Sequence, residues 1–496
     1  MNGLELIFLG GASEIGGPFS AALYGKKFAA LFGCGLEAKS GKPVRLPDFS
    51  IIKNRPEPSH VFIDHGHLDH AGGLGALVRN GIMPSNFFMS ATSRDFFPVH
   101  GADTIHITIR NWCRELKITP WQLYEKLKKE LKEDKSSDDE YVPIDWEVLC
   151  NGIMDGTAGR LLASEGRIVK DCVLPFNYQN VRDVEYQTTT IKAGETINVG
   201  EARVTPFNVG HIMGAFGYLV EMNGKRIFFT GDFSREATSY ELVKKLDPAQ
   251  IGPVDVLVIN STYACQPLEH FKSVSERFRN DLQADMAAGR RVVACGFFID
   301  RGAKVALEVM RADLLEYLHV DGKVRDGLAI YERHAPQLAG IEKYFVSDKD
   351  SRAALIQERI KNKEPAFYLV SSGMGVEGSL SNNYIGEHLH DPNAMIYRLG
   401  WCEPGTPLDD LTIAAQNGRV VNWRGQFTKF ECGVRSYQFS AHATSAEIKQ
   451  TIIDFNPKIA TVMVHGDPKR LEQFKRENTD LPGEIIIAEN GRPYQF

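Results

Sequence analysis

Three histidines and an aspartate stand within six consecutive positions of the chain, as His65, His67, Asp69 and His70, close behind an apolar run. Imidazole and carboxylate groups are the ligands that borderline divalent metal ions prefer in proteins. In an extended backbone His65 and His67 point to the same side, whereas Asp69 and His70 fall in the following turn and can reach a second ion. The alternative is a solvated turn that happens to be rich in histidine, but four ligand-type side chains at this spacing favour a metal site.

Further ligand candidates follow other apolar segments. His211, Asp232 and His465 each come just after such a segment, and Asn223-Gly224, a typical two-residue hairpin turn, lies between the first two. One edge of a sheet can then present His211, before the first hairpin strand, together with Asp232, after the second. Taken singly, each of these histidines is more often an ordinary loop or core residue, so the prediction depends on the whole set.

The order of these and later motifs resembles the metallo-β-lactamase superfamily and, within it, the β-CASP nucleases. The resemblance runs from residue 4 to about residue 490. It implies an α/β fold, in which a metallo-β-lactamase αββα sandwich carries an inserted α/β β-CASP cap domain. The motifs that carry the resemblance are Leu9-Gly10, Glu14 to Gly17, His65 to His70, His211, Asp232, Ser261-Thr262-Tyr263, Ser371 to Met374, Gly400, Gly405-Thr406, Phe439 to His442 and Val464 to Asp467.

The resemblance implies two divalent metal ions in one site, with zinc as the first choice and manganese as the alternative. The first ion would have the ligands His65, His67, His211 and Asp232, and the second would have Asp69, His70, Asp232 and His465. Asp232 would bridge two ions about 3.5 to 4 Å apart. A hydroxide held between the ions would attack phosphorus, and the ions would neutralise charge on the phosphoryl oxygens.

His442 would contact the scissile phosphate and protonate the leaving oxygen, the alternative being a helix-capping or core histidine. Two positions depart from the family pattern. Gly33 stands where a supporting aspartate is usual, a loss that can weaken metal affinity by about ten- to a hundred-fold. Asn260 replaces an acidic residue, and its amide is expected to accept a hydrogen bond from His442 and orient the ring. The ligands are spared, so the resemblance implies an active enzyme whose catalytic set is Asp69, His442 and Asn260.

Phosphate contacts beyond the metals are predicted at Ser371, Ser372 and Gly373, which follow an apolar segment and offer hydroxyl and backbone N–H groups. Ser440 is expected to line the same cleft. The sequence shows no recognisable array of stacking aromatic residues, so it indicates no base preference.

Composition is that of a folded protein of two to four domains, with 43% apolar and 24% charged residues among 496. The net charge of −6 argues against a large basic nucleic-acid surface but not against a local one. No apolar run of about 18 residues and no basic N-terminal region occur, so we predict neither a membrane span nor a signal peptide. Eight cysteines without a Cys-x-x-Cys pair are expected to be reduced thiols in the cytoplasm.

The predicted domain order is interrupted. Residues 1–264 form the first part of the metallo-β-lactamase domain, 265–427 the β-CASP domain and 428–496 the return segment of the first domain. The stretch from about 100 to 180 has no counterpart in the family. Within it, Thr119, Pro120 and Gln122 predict the start of a helix through Leu131. The polar run 132–140 is expected to be a solvated loop, with a substrate- or partner-binding arm as the alternative.

The predicted function is metal-dependent cleavage of RNA. The two alternatives are a hydrolase of another substrate and a weakly active RNA-processing scaffold, the latter suggested by Gly33 and Asn260. RNA is preferred to DNA because RNA-directed members of the family have histidine where this chain has His465. The partner expected is single-stranded RNA, with a homodimer as a further expectation. Whether cleavage is internal or from an end is left open.

Overall fold

Two seven-stranded sheets form the centre of the computed structural model, which describes residues 4–38, 42–130, 143–170, 172–236 and 243–496. In spatial order the first sheet has the strands Pro493–Gln495, Glu5–Gly10, Ser20–Tyr24, Ala29–Phe32, His60–Phe62, Asn86–Met89 and Thr188–Thr190. The second has Glu484–Ile487, Ala460–Val464, Val256–Asn260, Lys225–Phe229, Phe216–Met222, Ala202–Asn208 and Ile197–Val199. The last segment of the chain thus adds strands to both sheets.

The two sheets pack face to face and are covered by helices on their outer sides. Phe62, Tyr218 and Phe229 belong to the apolar core between the sheets, whereas the neighbouring Val61 packs under the outer helices of the first sheet. This alternation follows from the two-residue period of a strand. The layer order is that of an αββα sandwich, as the sequence predicted.

Helices on the outer side of the first sheet and its edge are Leu68–Ala71, Leu74–Arg79, Ala91–Glu115, Pro120–Glu130, Trp146–Met154, Thr157–Ser164 and Tyr178–Tyr186. The unmatched stretch is therefore largely this helical layer. Thr119 and Gln122 form the predicted reciprocal cap, with N···O distances of 2.8 and 3.1 Å, and the helix begins at Pro120. Leu131 and the polar run 132–140 lie outside the described residues.

A third sheet of five parallel strands forms a separate layer, and the helices on one of its faces share an apolar core with the outer side of the second sheet. Its spatial order is Leu318–Asp321, Ala366–Val370, Arg291–Cys295, Ala394–Arg398 and Gly433–Ser436. The sheet therefore extends past residue 427. Helices Phe271–Ala287, Arg301–Arg311 and Lys323–His334 cover one face, and Lys349–Asn362, Leu380–His388 and Pro407–Gln416 cover the other. This is the α/β cap layer that the sequence predicted.

One helix in this layer is shorter than the sequence indicates. The apolar pattern predicts a helix from Ala303 to Leu318, but the helix ends at Arg311 and Leu318 begins an edge strand. Asp313, with φ of 58°, stops the helix in the left-handed region. A short apolar segment fits either structure, and pairing with Ala366–Val370 decides it.

The remaining elements are three helices near the second sheet and a separate hairpin. Helices Pro248–Ile251, Ser445–Phe455 and Pro468–Glu477 pack near it, and Val420–Trp423 pairs with Gln426–Lys429 as a separate hairpin. The predicted turn at Asn223-Gly224 joins antiparallel strands, and both residues have the positive φ of its type, 53° and 72°. Among the described residues no helix is long and apolar enough to span a membrane.

Candidate metal centre

The predicted ligands meet at one edge of the sandwich because each follows a strand that ends there. His65 and His67 come after His60–Phe62, and Asp69 and His70 occupy the short helix Leu68–Ala71. The remaining ligands are supplied by the second sheet: His211 precedes Phe216–Met222, Asp232 follows Lys225–Phe229, and His465 follows Ala460–Val464.

His65, His67, His211 and Asp232 form the first group. Their ligand atoms all lie within 4.8 Å of one another. His67 Nδ1 is 2.9 Å from His65 Nε2 and 3.3 Å from His211 Nε2. Asp232 Oδ2 is 3.7 Å from His65 Nε2 and 3.6 Å from His211 Nε2. A tetrahedral zinc ion with bonds of about 2.0 to 2.1 Å has ligand atoms about 3.3 to 3.4 Å apart, so this set fits one ion.

Asp69, His70 and His465 form a second group beside the first, again with ligand atoms within 4.8 Å. His465 Nε2 is 3.2 Å from Asp69 Oδ2, and His70 Nε2 is 3.5 Å from Asp232 Oδ1. Asp232 therefore directs one oxygen to each group. A shared carboxylate of this kind is what a two-ion site requires.

Hydrogen bonds at the far side of the imidazole rings orient several ligands. His211 Nδ1 lies 3.2 Å from the Ala441 carbonyl oxygen, and His465 Nδ1 lies 3.0 Å from Thr262 Oγ1. A donor nitrogen fixed in this way leaves Nε2 free to bind a metal ion. His70 Nε2 is buried and has no hydrogen-bond partner among the described residues. Buried polar atoms are rarely left unpaired, so this orphan nitrogen also fits a metal ligand.

Asp64 is a functional candidate that the sequence reasoning missed. Its buried carboxylate accepts a hydrogen bond from His70 Nδ1 at 2.8 Å and lies 3.3 Å from His65 Nδ1. It thus contacts one ligand of each group. The signal was available, because an aspartate directly after the apolar run 61–63 is a polar residue at a buried strand end.

Gly33 does not leave the centre without carboxylate support. A Cβ atom at Gly33 would lie 2.8 Å from Phe19 Cδ1, and the Phe19 ring stacks on His70 with centroids 5.4 Å apart. Phe19 therefore packs where a side chain at position 33 would begin, and Asp64 approaches His70 instead. Because Asp64 supplies a carboxylate beside His70, Gly33 need not weaken metal binding in this chain.

Asn260 contacts a different partner from the one predicted. Its Nδ2 donates to Asp232 Oδ1 at 2.5 Å, and its Oδ1 accepts from the Thr262 N–H. The prediction that Asn260 orients His442 is therefore wrong. The strand ending at Asn260 pairs in parallel with the strand leading to Asp232, which brings the two side chains together. An amide can donate to Asp232, whereas an ionised carboxylate cannot.

The helical layer also reaches the centre. His100, in helix Ala91–Glu115, lies with Nε2 2.8 Å from the carbonyl oxygen of Gly66, between His65 and His67. Burial lowers the pKa of His100 to about 4, so the ring is neutral at pH 7 and can donate this hydrogen bond. Part of the stretch without a family counterpart thus supports the ligand loop.

The electrostatic balance at the centre is that of a cation site. Burial lowers the pKa of His67 and of His211 well below the usual value, which keeps both rings neutral and able to bind metal. For His70 burial also opposes the charge, but the carboxylates of Asp64 and Asp232 raise its pKa to about 10. Without a metal ion, a proton on His70 therefore offsets part of the carboxylate charge.

His442 lies beside the first group. Its Nε2 is 3.7 Å from Asp232 Oδ2, and its ring centroid is 4.6 Å from that of His211. Its Nδ1 is buried and has no hydrogen-bond partner among the described residues. Burial lowers the pKa of His442 to about 4, against the influence of Asp232. The imidazole is therefore neutral at pH 7 in the free protein.

The predicted phosphate-binding hydroxyls make local contacts. Ser371 Oγ accepts from the Lys323 N–H at 2.8 Å, and Ser372 Oγ accepts from the Val376 N–H at 3.3 Å. Ser440 Oγ accepts from the His442 N–H at 3.3 Å, which ties it to the centre. Gly373 packs so closely on Phe297 that a Cβ atom there would lie 2.3 Å from the ring. Their contact with phosphate stays a prediction.

Comparison with known proteins agrees with this geometry. Residues 429–487 match the family model of the Zn-dependent metallo-hydrolase RNA specificity domain. Endoribonuclease ysh1 of Schizosaccharomyces pombe is 24% identical over 319 residues, 62% of this chain and 40% of that protein. Cleavage and polyadenylation specificity factor subunit 3 of Dictyostelium discoideum is 21% identical over 494 residues, 95% of this chain and 54% of that protein. An RNase J-like protein of Methanocaldococcus jannaschii is 25% identical over 277 residues, 53% of this chain and 63% of that protein.

A solved structure has the same fold along the whole chain. It is a protein of unknown function from Enterococcus faecalis V583, with a TM-score of 0.54, 14% identity and 100% coverage of both chains. The chain spans roughly half the length of the curated relatives above, between 40% and 63% of each.

The paired sheets, the cluster of histidines and aspartates at their edge and the matched domain fit the metallo-β-lactamase fold that the sequence predicted. The parallel cap sheet and the similarity to these relatives agree with the predicted resemblance to the β-CASP nucleases.

Proposed function

We propose that this chain is a ribonuclease that hydrolyses phosphodiester bonds with two divalent metal ions, zinc in the first instance. The observation that carries the proposal is Asp232, whose two oxygens face the two ligand groups. His65, His67 and His211 would hold one ion, Asp69, His70 and His465 the other. Bound there, the ions supply a hydroxide nucleophile at neutral pH and neutralise charge on the phosphate.

The chain's own residues then have separable tasks. Asp64 holds His65 and His70 in place, and Asn260 restrains the Asp232 oxygen that faces the second group. His442, next to Asp232 and without a partner on Nδ1, is available to contact the scissile phosphate. A negatively charged phosphate would favour the protonated ring, from which His442 could deliver a proton to the leaving oxygen.

Single-stranded RNA is the substrate that we propose. The match to an RNA specificity domain supports it, and so does His465, the residue typical of RNA-directed members. The names of two relatives describe them as an endoribonuclease and as a cleavage and polyadenylation factor, which supports cleavage of RNA here. A cytoplasmic location and a homodimer stay predictions.

The test is a time course with zinc-loaded protein on end-labelled RNA and on DNA of the same sequence. We expect RNA to be cut faster, and His67→Ala to lose metal and activity together. Mass analysis of the products would distinguish internal cleavage from removal of single nucleotides. Equal or faster cutting of DNA would refute the choice of RNA. Zinc-loaded protein that cuts neither polymer but hydrolyses a small ester would refute the nuclease assignment.

A further inference from the structure

Arg301, at the start of helix Arg301–Arg311 in the cap, is a half-buried cation with an unusual environment. Its guanidinium carbon lies 4.5 Å from the centroid of the Phe297 ring. A Cβ atom on Gly400 would come within 2.7 Å of that same carbon, so the guanidinium packs closely against the Gly400 backbone. These contacts fix the position of the group without using its N–H donors.

Among the described residues, no oxygen accepts a hydrogen bond from the Arg301 side chain and no carboxylate forms a salt bridge with it, although the negative charge of Asp300 favours the charged guanidinium. The neighbouring carboxylate of Asp300 contacts Lys304 at 2.5 Å instead. Burial lowers the pKa of the Arg301 guanidinium, yet arginine stays charged at neutral pH. Charged groups that leave water are normally paired, so an oriented and unpaired guanidinium suggests an anionic ligand.

The start of this helix lies close to the metal centre. Lys304, three residues after Arg301, has its Nζ 3.4 Å from the carbonyl oxygen of His211. A strand of nucleic acid with one phosphate at His442 can therefore bring a neighbouring phosphate toward Arg301.

A second, independent feature lies next to Gly400. Trp401 is 54% exposed, and no ring or cation contact is made to it by the described residues. Two residues further on, Glu403 pairs with Lys42 at 3.8 Å, so this loop lies where the cap meets the sandwich. An exposed aromatic side chain is one on which unpaired bases stack in proteins that bind single strands.

We propose that Arg301 and Trp401 form a nucleotide subsite next to the metal centre, in which Arg301 binds a non-scissile phosphate and Trp401 stacks a base. The planar guanidinium suits the bidentate contact that a phosphate accepts. The inference rests on the proposed function in RNA cleavage. It adds that the cap, and not the metal centre alone, selects a flexible strand with accessible bases.

The test measures binding of a short fluorescent single-stranded RNA to the zinc-loaded full chain, in a His442→Ala background that slows cleavage. Arg301→Gln should weaken binding about 10- to 100-fold, the usual range for a hydrogen-bonded charged contact. It should also reduce the slope of log affinity against log salt concentration by about 0.7, the value for one phosphate contact on a single strand. Arg492→Gln removes the same charge from an exposed pair with Glu489 and should change affinity much less.

Trp401→Ala should weaken binding about 5- to 100-fold, and Trp401→Phe should retain most of the affinity. Quenching of tryptophan fluorescence by RNA should be largely lost in Trp401→Phe. A methylphosphonate at one non-scissile linkage should weaken binding to the parent protein but cause no further loss in Arg301→Gln. Circular dichroism would check the fold of each variant, and Arg301→Lys, which keeps the charge without the planar fork, should be intermediate.

Equal affinities for Arg301→Gln and Arg492→Gln, or a methylphosphonate effect that persists in Arg301→Gln, would overturn the phosphate contact. Full quenching in Trp401→Phe would overturn the stacking contact. If the protein with both residues intact failed to bind RNA at all, the proposed function would fail together with this inference. If it bound RNA and both variants matched it, the inference alone would fail.

Discussion

Asp64→Asn isolates the carboxylate that supports both ligand groups. The change keeps the size of the side chain and removes its charge. In the native centre one carboxylate oxygen accepts from His70 Nδ1 at 2.8 Å and lies 3.3 Å from His65 Nδ1, which has no hydrogen-bond partner among the described residues. An amide can place its oxygen in the same position, but it carries no negative charge and therefore attracts the two rings less strongly.

The expected effect is a loss of metal affinity in both groups, because His65 belongs to one and His70 to the other. Partners of this kind are worth about 10- to 100-fold in metal affinity, or about 1.4 to 2.7 kcal/mol for each ion. The metal-free protein should be affected as well, since Asp64 is a main reason for the raised pKa of His70. Asp64→Asn should therefore lower that pKa toward its usual value.

Competition for zinc with a chromophoric chelator at pH 7 measures this affinity directly. Asp285→Asn is the matched control, because Asp285 is also buried but contacts Arg290 and Tyr397 in the cap. The control should cost stability without changing zinc affinity. If Asp64→Asn bound both zinc ions as tightly as the parent protein, Asp64 would have no supporting role, and the cost of Gly33 would again need an explanation.

Three further predictions concern other residues. His442→Ala should leave zinc content unchanged and slow RNA cleavage by about 10²- to 10⁴-fold. Its effect on a nitrophenyl phosphodiester, whose leaving group needs no proton, should be much smaller. Equal losses on both substrates would mean that His442 positions phosphate. Asn260→Asp places a second carboxylate against Asp232 and should destabilise the metal-free protein by about 1 to 3 kcal/mol at pH 7. Addition of zinc should restore the stability. An unchanged melting temperature of the metal-free protein would contradict this prediction. His100 has a folded pKa of about 4 and an unfolded value of 6.5, so the unfolded chain binds its proton first and stability is lost as pH falls from 6.5 toward 4. His100→Gln should reduce that loss by up to about 1.4 kcal/mol per pH unit in urea unfolding, and identical pH profiles would show that His100 is not buried in its neutral form.

The sandwich could be predicted because short apolar strands, a type-specific turn and ordered motifs all indicated the same fold. Ligand candidates were also accessible, since histidines and aspartates that follow strands meet at one sheet edge. The hydrogen-bond partners of these residues could not be predicted from the sequence. Asp64 and Asn260 find their partners on neighbouring strands or turns, and the direction of a side chain at a strand end depends on packing such as that of Phe19 on His70.

Contacts between residues far apart in the sequence could not be predicted either. His100 lies in a helix without a family counterpart, and its contact with Gly66 spans 34 positions. Leu318 begins a strand because a neighbouring strand offers a free edge, although its apolar pattern continues that of the preceding helix. In both cases tertiary contacts decide what local pattern leaves open.

Anomalous X-ray diffraction at the zinc edge, from crystals of the zinc-loaded protein, tests the central claim most directly. The proposed site predicts two peaks about 3.5 to 4 Å apart, with an Asp232 oxygen directed at each, one beside His65, His67 and His211 and the other beside Asp69, His70 and His465. A single peak, or zinc bound away from Asp232, in crystals of active protein would contradict it.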